Sequence, residues 1–206
     1  MKNLFMLICS QISVSGNCEA AFSKITEQYQ IPERFYHTFT GHIAFCIQEL
    51  RNVPAPLLFD KNAVAMALFL HDVIMNFHAS DNEKKSAEFA RELFSQIGAP
   101  EKFGKKVAEL ILATKHDVIA KNCDARIVAD IDLAILGQDC QTFDEYEKNV
   151  RKEYSFVPED IFKKERAKLL RHFLNRPSIF STHYFQRRYG KKARQNLERS
   201  IAQLER

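Results

Sequence analysis

The chain has 206 residues, of which 46% are hydrophobic and 27% charged, enough for one well-buried core and incompatible with disorder or collagen-like structure. Its formal net charge is only +4, but from Lys163 onward there are thirteen Lys or Arg against three acids, so that last stretch carries +10 and the rest −6. Such a basic stretch steers phosphate-bearing ligands or touches nucleic acid in some proteins. Here no aromatic-interleaved basic motif accompanies it, and it reads first as solvated helix faces, with no nucleic-acid partner expected.

The first segment, Leu4 to Cys9, is interrupted by Ser10, Gln11 and Ser13 before a signal-peptide core is complete, and no later stretch reaches the length of a membrane span. Five widely spaced cysteines without a CxxC pair indicate neither a disulfide framework nor a zinc ribbon. A cytoplasmic protein with reduced thiols and no membrane partner is expected. Six glycines and six prolines are sparse punctuation and favour long helices, eight to ten of them, in one domain.

Along the chain, Pro32, Pro100 and Pro158 precede acidic residues as at helix starts, and Gly98 and Gly137 follow apolar runs where helices stop. Arg34, His37 and His42 come next, with Ile43, Phe45 and Ile47 marking a packed helix after His42. His37 and His42, five apart, would face differently on one helix, so their roles should differ. Pro54 and Pro56 mark a loop. Ala63 to Leu70 is then wholly apolar and reads as a buried helix that includes His71 and Asp72. A carboxylate there carries a desolvation cost of several kcal/mol unless a cation or several donors answer it. A divalent metal is the natural answer, and imidazole with carboxylate suits manganese, iron or zinc.

Downstream, Ser80 or Asp81 fits an N-cap, with Glu83 in the first turn behind it. Phe103, Val107, Leu110 and Ile111 keep the spacing of a core-facing helix. Lys115 and His116 end that helix, where cations complement the dipole without any further role, or contact a phosphate. Asp130 and Asp132 lie amid aliphatic residues and again call for a cation. Thr142 and Glu145 form a capping box, and a basic helix from about 185 closes the chain.

The ordered set His42, His71-Asp72, Asp130 resembles the ligand order of the HD superfamily of metal-dependent phosphohydrolases. The likeness extends through Arg34-Phe35-Tyr36-His37, Asp81-Asn82-Glu83, Ser86-Ala87, Thr114-Lys115-His116, Asp130-Ile131-Asp132-Leu133, Val150-Arg151-Lys152-Glu153-Tyr154 and Ala193-Arg194-Gln195-Asn196-Leu197, most of the chain. The resemblance implies a single all-α HD-type helical bundle over residues 1–206 whose metal is held by His42, His71, Asp72 and Asp130, with Asp132 as the alternative to Asp130. It implies manganese as the metal, with iron, cobalt, nickel, zinc or magnesium as alternatives, and a nucleotide or other small phosphorylated metabolite as substrate. Arg34, His37, Lys115, His116 and Arg151 are expected to contact phosphate, His116 alternatively a second metal. Many HD nucleotidases carry a glutamate three positions after the motif aspartate; here that position is Met75, and Glu83 is the expected general base, acting beside Asp72. Two other readings stay open: a non-catalytic nucleotide- or metal-binding module, and a helical nucleic-acid-binding protein.

Overall fold

The protein is described by a computed structural model covering residues 1–117, 120 and 122–206. Among these residues there are ten α-helices and no strand. The chain forms two compact units, residues 1–129 and 130–206. No helix among the described residues is long and apolar enough to cross a membrane.

The first unit contains α1 (Lys2–Gln11), α2 (Cys18–Gln28), α3 (Ala44–Asn52), α4 (Lys61–Leu70), α5 (Asn82–Gln96), α6 (Glu101–Leu112) and most of α7 (Cys123–Asp132). Its axis is α4, whose residues Ala63 to Leu70 are all at most 2% exposed and which packs on α3, α5 and α6. A helix apolar on every side has no stable place except the interior. Asp60 caps it by accepting the Ala63 N–H at 3.0 Å. The helix ends at Leu70, so His71 is its C-cap and Asp72 lies in the turn beyond, rather than within the helix as the apolar run predicts. Pro32 likewise starts no helix; residues around it form turns.

Aromatic rings fill the space between α1, α2, α4 and the segment leading to α3. Phe5 meets Phe22 at 5.4 Å and Phe69 at 6.0 Å, and Phe39 meets Phe22, Tyr29 and Phe69 at 5.7, 5.5 and 6.2 Å. Such ring pairs add about 0.5–1.5 kcal/mol each beyond the area they bury. They tie the segment carrying His42 to the helix delivering His71. The α5–α6 turn closes at Gly98, which takes φ +68°, a left-handed conformation that glycine adopts without strain. Pro100 then opens α6, as expected.

The second unit contains the 3-10 turn Leu133–Gly137, α8 (Cys140–Glu153), α9 (Glu159–Leu174) and α10 (His183–Leu204). Gly137 sits against Tyr189 of α10, where an added Cβ would overlap the Tyr189 side chain. Helix α8 starts before the expected capping box: Asp139 accepts the Thr142 N–H at 3.0 Å and the Thr142 hydroxyl at 3.0 Å, so Thr142 is the capped residue and not the cap. Arg166 of α9, 8% exposed, donates to Glu147 and to the Tyr146 hydroxyl of α8, while Ser200 of α10 donates to Glu147 at 3.1 Å. One half-buried carboxylate thereby joins three helices.

Candidate metal centre

His42 is delivered by a wide turn, not by a regular α-helix. Residues Phe39–Ile43 form a single π-helical turn in which the Ile43 N–H reaches the Thr38 carbonyl at 3.2 Å, and the Thr38 hydroxyl accepts the Gly41 N–H at 3.1 Å. Such turns insert a residue into a helix and recur at functional sites. Here the turn buries His42, leaving it 2% exposed, directly before α3.

His71, 1% exposed, places Nδ1 3.1 Å from the Leu68 carbonyl oxygen. A carbonyl only accepts, so the ring proton is on Nδ1 and Nε2 presents a lone pair. That lone pair points into a cluster: His42 Nε2 is 3.0 Å away, and Asp72 Oδ2 lies 3.1 Å from His71 Nε2 and 3.4 Å from His42 Nε2. Asp72 Oδ2 is buried, yet it forms no hydrogen bond to any described residue.

These distances fit shared ligation of one ion. Two ligand atoms with bonds of ~2.1 Å are ~3.0 Å apart at right angles and ~3.4 Å apart at the tetrahedral angle, the span of the three observed separations. The unsatisfied Oδ2 is the independent sign, since a buried carboxylate oxygen without a donor costs on the order of several kcal/mol unless a cation answers it.

The loop after Asp72 is held from two sides. Arg34 donates to the backbone oxygens of His37 at 3.1 Å, Asp72 at 2.7 Å and Val73 at 3.0 Å, and its guanidinium lies 4.6 Å from the Tyr29 ring centroid. From α5, Ser86 Oγ accepts the Ile74 N–H at 3.1 Å and Asn82 brackets Asn76, accepting its N–H at 2.9 Å and donating to its carbonyl at 3.0 Å.

No protein-family model, curated protein or solved structure matches the chain.

The first unit brings together His42, His71, Asp72 and His37, whose ring lies 5.7 Å from that of His42. Arg34 is 5% exposed and donates to three backbone carbonyls. Met75 receives the Asn82 amide on its sulfur at 3.5 Å. Glu83 is half-buried in the first turn of α5 and, after Asp117, raises the pKa of Lys115, which pairs with Asp117. His116 follows in a left-handed conformation.

Asp130, Asp132 and Arg151 belong to the second unit. Asp130 is 0% exposed and accepts the backbone N–H groups of Ser181 and Thr182 at 2.6 and 2.8 Å and the Thr182 hydroxyl at 2.6 Å, at the start of α10. Asp132 is half-buried and acts on Tyr146. Arg151 donates to Glu159, to the Tyr154 carbonyl and to the Val157 carbonyl, locking the α8–α9 turn.

Cys46 was not among the residues the sequence singles out. Its sulfur lies beside His42, 3.7 Å from Nε2. The spacing His-x-x-x-Cys was the available signal, since residues four apart share a helix face.

Proposed function

We propose that the protein is a metal-dependent phosphohydrolase acting on a nucleotide or another small phosphorylated metabolite. The observation that carries this reading is the convergence of His42 Nε2, His71 Nε2 and Asp72 Oδ2 at 3.0–3.4 Å with Asp72 Oδ2 buried and without a hydrogen bond to the described residues. The donor set, two imidazoles and a carboxylate, suits manganese and its neighbours. When bound, such an ion supplies Lewis acidity, polarising a phosphoryl oxygen and lowering the pKa of water toward neutrality.

The chain's own residues supply orientation. Leu68 fixes the His71 tautomer, Arg34 and Ser86 hold the turn that carries Asp72, and the aromatic wall holds the turn that carries His42. His37, beside His42, is the assigned phosphate contact, and Lys115 with His116 stays in that role within the first unit. Glu83 is the assigned general base. Asp130 accepts the backbone N–H groups of Ser181 and Thr182 just ahead of α10, and the proposed centre consists of His42, His71 and Asp72.

A second reading, a metal- and nucleotide-binding module without turnover, is favoured by the commitment of the Arg34 guanidinium to carbonyl oxygens. A screen of phosphate release from nucleotides, cyclic nucleotides and sugar phosphates with manganese, cobalt, nickel, zinc and magnesium separates the two. Metal-dependent release supports the hydrolase; nucleotide binding with no release on any ester supports the module.

A further inference from the structure

The stretch from Arg166 to Leu197 holds nine Lys or Arg and not one Asp or Glu. It carries no nucleic-acid motif as a sequence; folding is what sorts its cations. In α10 the apolar residues Phe185, Tyr189, Ala193 and Leu197 are all buried, while Arg187, Arg188, Lys191, Lys192 and Arg194 are exposed. At about 100° per residue these five cations span an arc of ~160° opposite the buried residues. Arg187 and Arg194 edge it on one side, Arg188 and Lys192 on the other, and Lys191 lies between.

Elsewhere exposed lysines stand one turn from an acid, as Lys84 does from Glu88, Lys85 from Asp81 and Lys105 from Glu101. On α10 the residue one turn from Arg187 is Lys191, and the residue one turn from Arg188 is Lys192. Like charges at that spacing repel and weaken a helix. Arg187, Lys191 and Lys192 make no hydrogen bond or ion pair with any described residue. Arg188 reaches the Tyr184 hydroxyl at 3.4 Å, and Arg194 donates to the Leu174 carbonyl at 3.2 Å. The helix itself is anchored: Thr182 Oγ1 accepts the Phe185 N–H at 3.3 Å, and Asn196 donates to the Leu136 and Gln138 carbonyls at 2.9 Å. A charged face already held in place loses little freedom on binding.

A polyanion is the partner that turns this repulsion into attraction. The major groove of duplex DNA, about 12 Å wide, admits one α-helix. Phosphates wall it on both sides, as cations edge the arc on both sides. The major groove of duplex RNA is too narrow to be entered in this way. A membrane surface is the poorer match, because α10 exposes no large apolar side chain to insert among lipids.

We propose that the exposed face of α10 is a DNA-binding surface that grips the duplex through its phosphates without reading its sequence. Arg187 and Arg194 meet one phosphate wall of the groove, and Arg188 and Lys192 meet the other. The inference goes beyond the function proposed above and does not rest on the metal centre.

The test is fluorescence anisotropy of a labelled DNA duplex titrated with the full chain at several salt concentrations, beside the matching RNA duplex and phosphatidylserine vesicles. The wild type is expected to bind DNA with a Kd on the order of 1–100 µM at physiological salt, and log affinity is expected to fall against log salt with a slope of about −4 to −5. Combining Arg187→Gln, Lys191→Gln and Lys192→Gln should weaken binding by about tenfold or more and flatten that slope by ~2.7. Removing three charges from exposed lysines of the first unit instead, by Lys61→Gln, Lys102→Gln and Lys105→Gln, should leave affinity within about twofold. No DNA binding even at low salt overturns the proposal. So does an equal loss in the two triple variants, which makes the effect one of net charge, and so does tighter binding to the RNA duplex or to the vesicles than to DNA. The comparison of probes with the wild type decides even if the α10 variant fails to fold.

Discussion

The Leu68 carbonyl oxygen lies 3.1 Å from His71 Nδ1, one turn back on the helix that delivers the histidine. That contact sets the tautomer, turns the Nε2 lone pair toward His42 and Asp72, and does so from the last turn of α4, whose own carbonyls need partners. The end of the most buried helix in the first unit is thus also the support of its candidate centre. Inserting one residue into α4 ahead of His71 would rotate it away by about 100°.

Arg34 is expected to matter through position and stability. Arg34→Met removes three donors from the carbonyls of His37, Asp72 and Val73. Bonds from a charged donor and the burial of the orphaned acceptors put the loss at ~2–4 kcal/mol of unfolding free energy. Urea denaturation of variant and wild type measures it. Arg34→Lys should not restore it, because an ammonium lacks the planar fork that spans separate acceptors. A loss within ~0.5 kcal/mol would make the clamp ornamental.

Glu83 distinguishes a base from a charge partner. If it is the general base, Glu83→Gln lowers turnover by about a hundredfold to ten-thousandfold with metal binding retained. Unchanged turnover assigns Glu83 to the neighbourhood of Lys115 alone, which it already stabilises in its charged form.

The helical architecture was legible because α6 shows its core face openly: Val107, Leu110 and Ile111 recur at helical spacing and are all buried. Pro100, Gly98 and Gly137 mark ends where the sequence predicts them. The end of α4 was not legible, because no glycine or proline separates Leu70 from His71 and Asp72; tertiary contacts to Arg34 and Ser86 end the helix instead. The π turn at His42 leaves no compositional trace either. The dyad was visible as charge in an apolar run, whereas Cys46 was hidden because a cysteine in such a run reads as one more hydrophobe. The hydrogen bonds that Arg34 and Arg151 make to backbone carbonyls, and Arg151 to Glu159, likewise leave no trace in the sequence.

Gly137→Ala tests the packing of the second unit. The new methyl would meet Tyr189, so α10 or the Leu133–Gly137 turn must shift. Overpacking of this kind costs about 1–3 kcal/mol, read as a lower midpoint in thermal denaturation. Equal midpoints would mean the contact relaxes freely.

The five thiols should divide by burial. Cys123 and Cys140 are exposed, whereas Cys9 and Cys46 are buried. Burial first, and then Cys18, push the Cys9 thiol up to about 12, so at roughly pH 8 it holds almost no thiolate, the reactive form. Alkylation of the native protein with peptide mapping should label Cys123 and Cys140 well before Cys9. Early labelling of Cys9 would contradict the packing of α1.

The central claim is that Asp72 is buried as an anion because an ion answers it, and calorimetric titration of manganese into wild type and Asp72→Ala tests that most directly. The account predicts that the wild type binds one ion with saturable heat, and that the variant, folded and with an unfolding transition of its own, binds it at least about a hundredfold more weakly. Equal affinity in the two proteins, or no binding by the wild type, would contradict it.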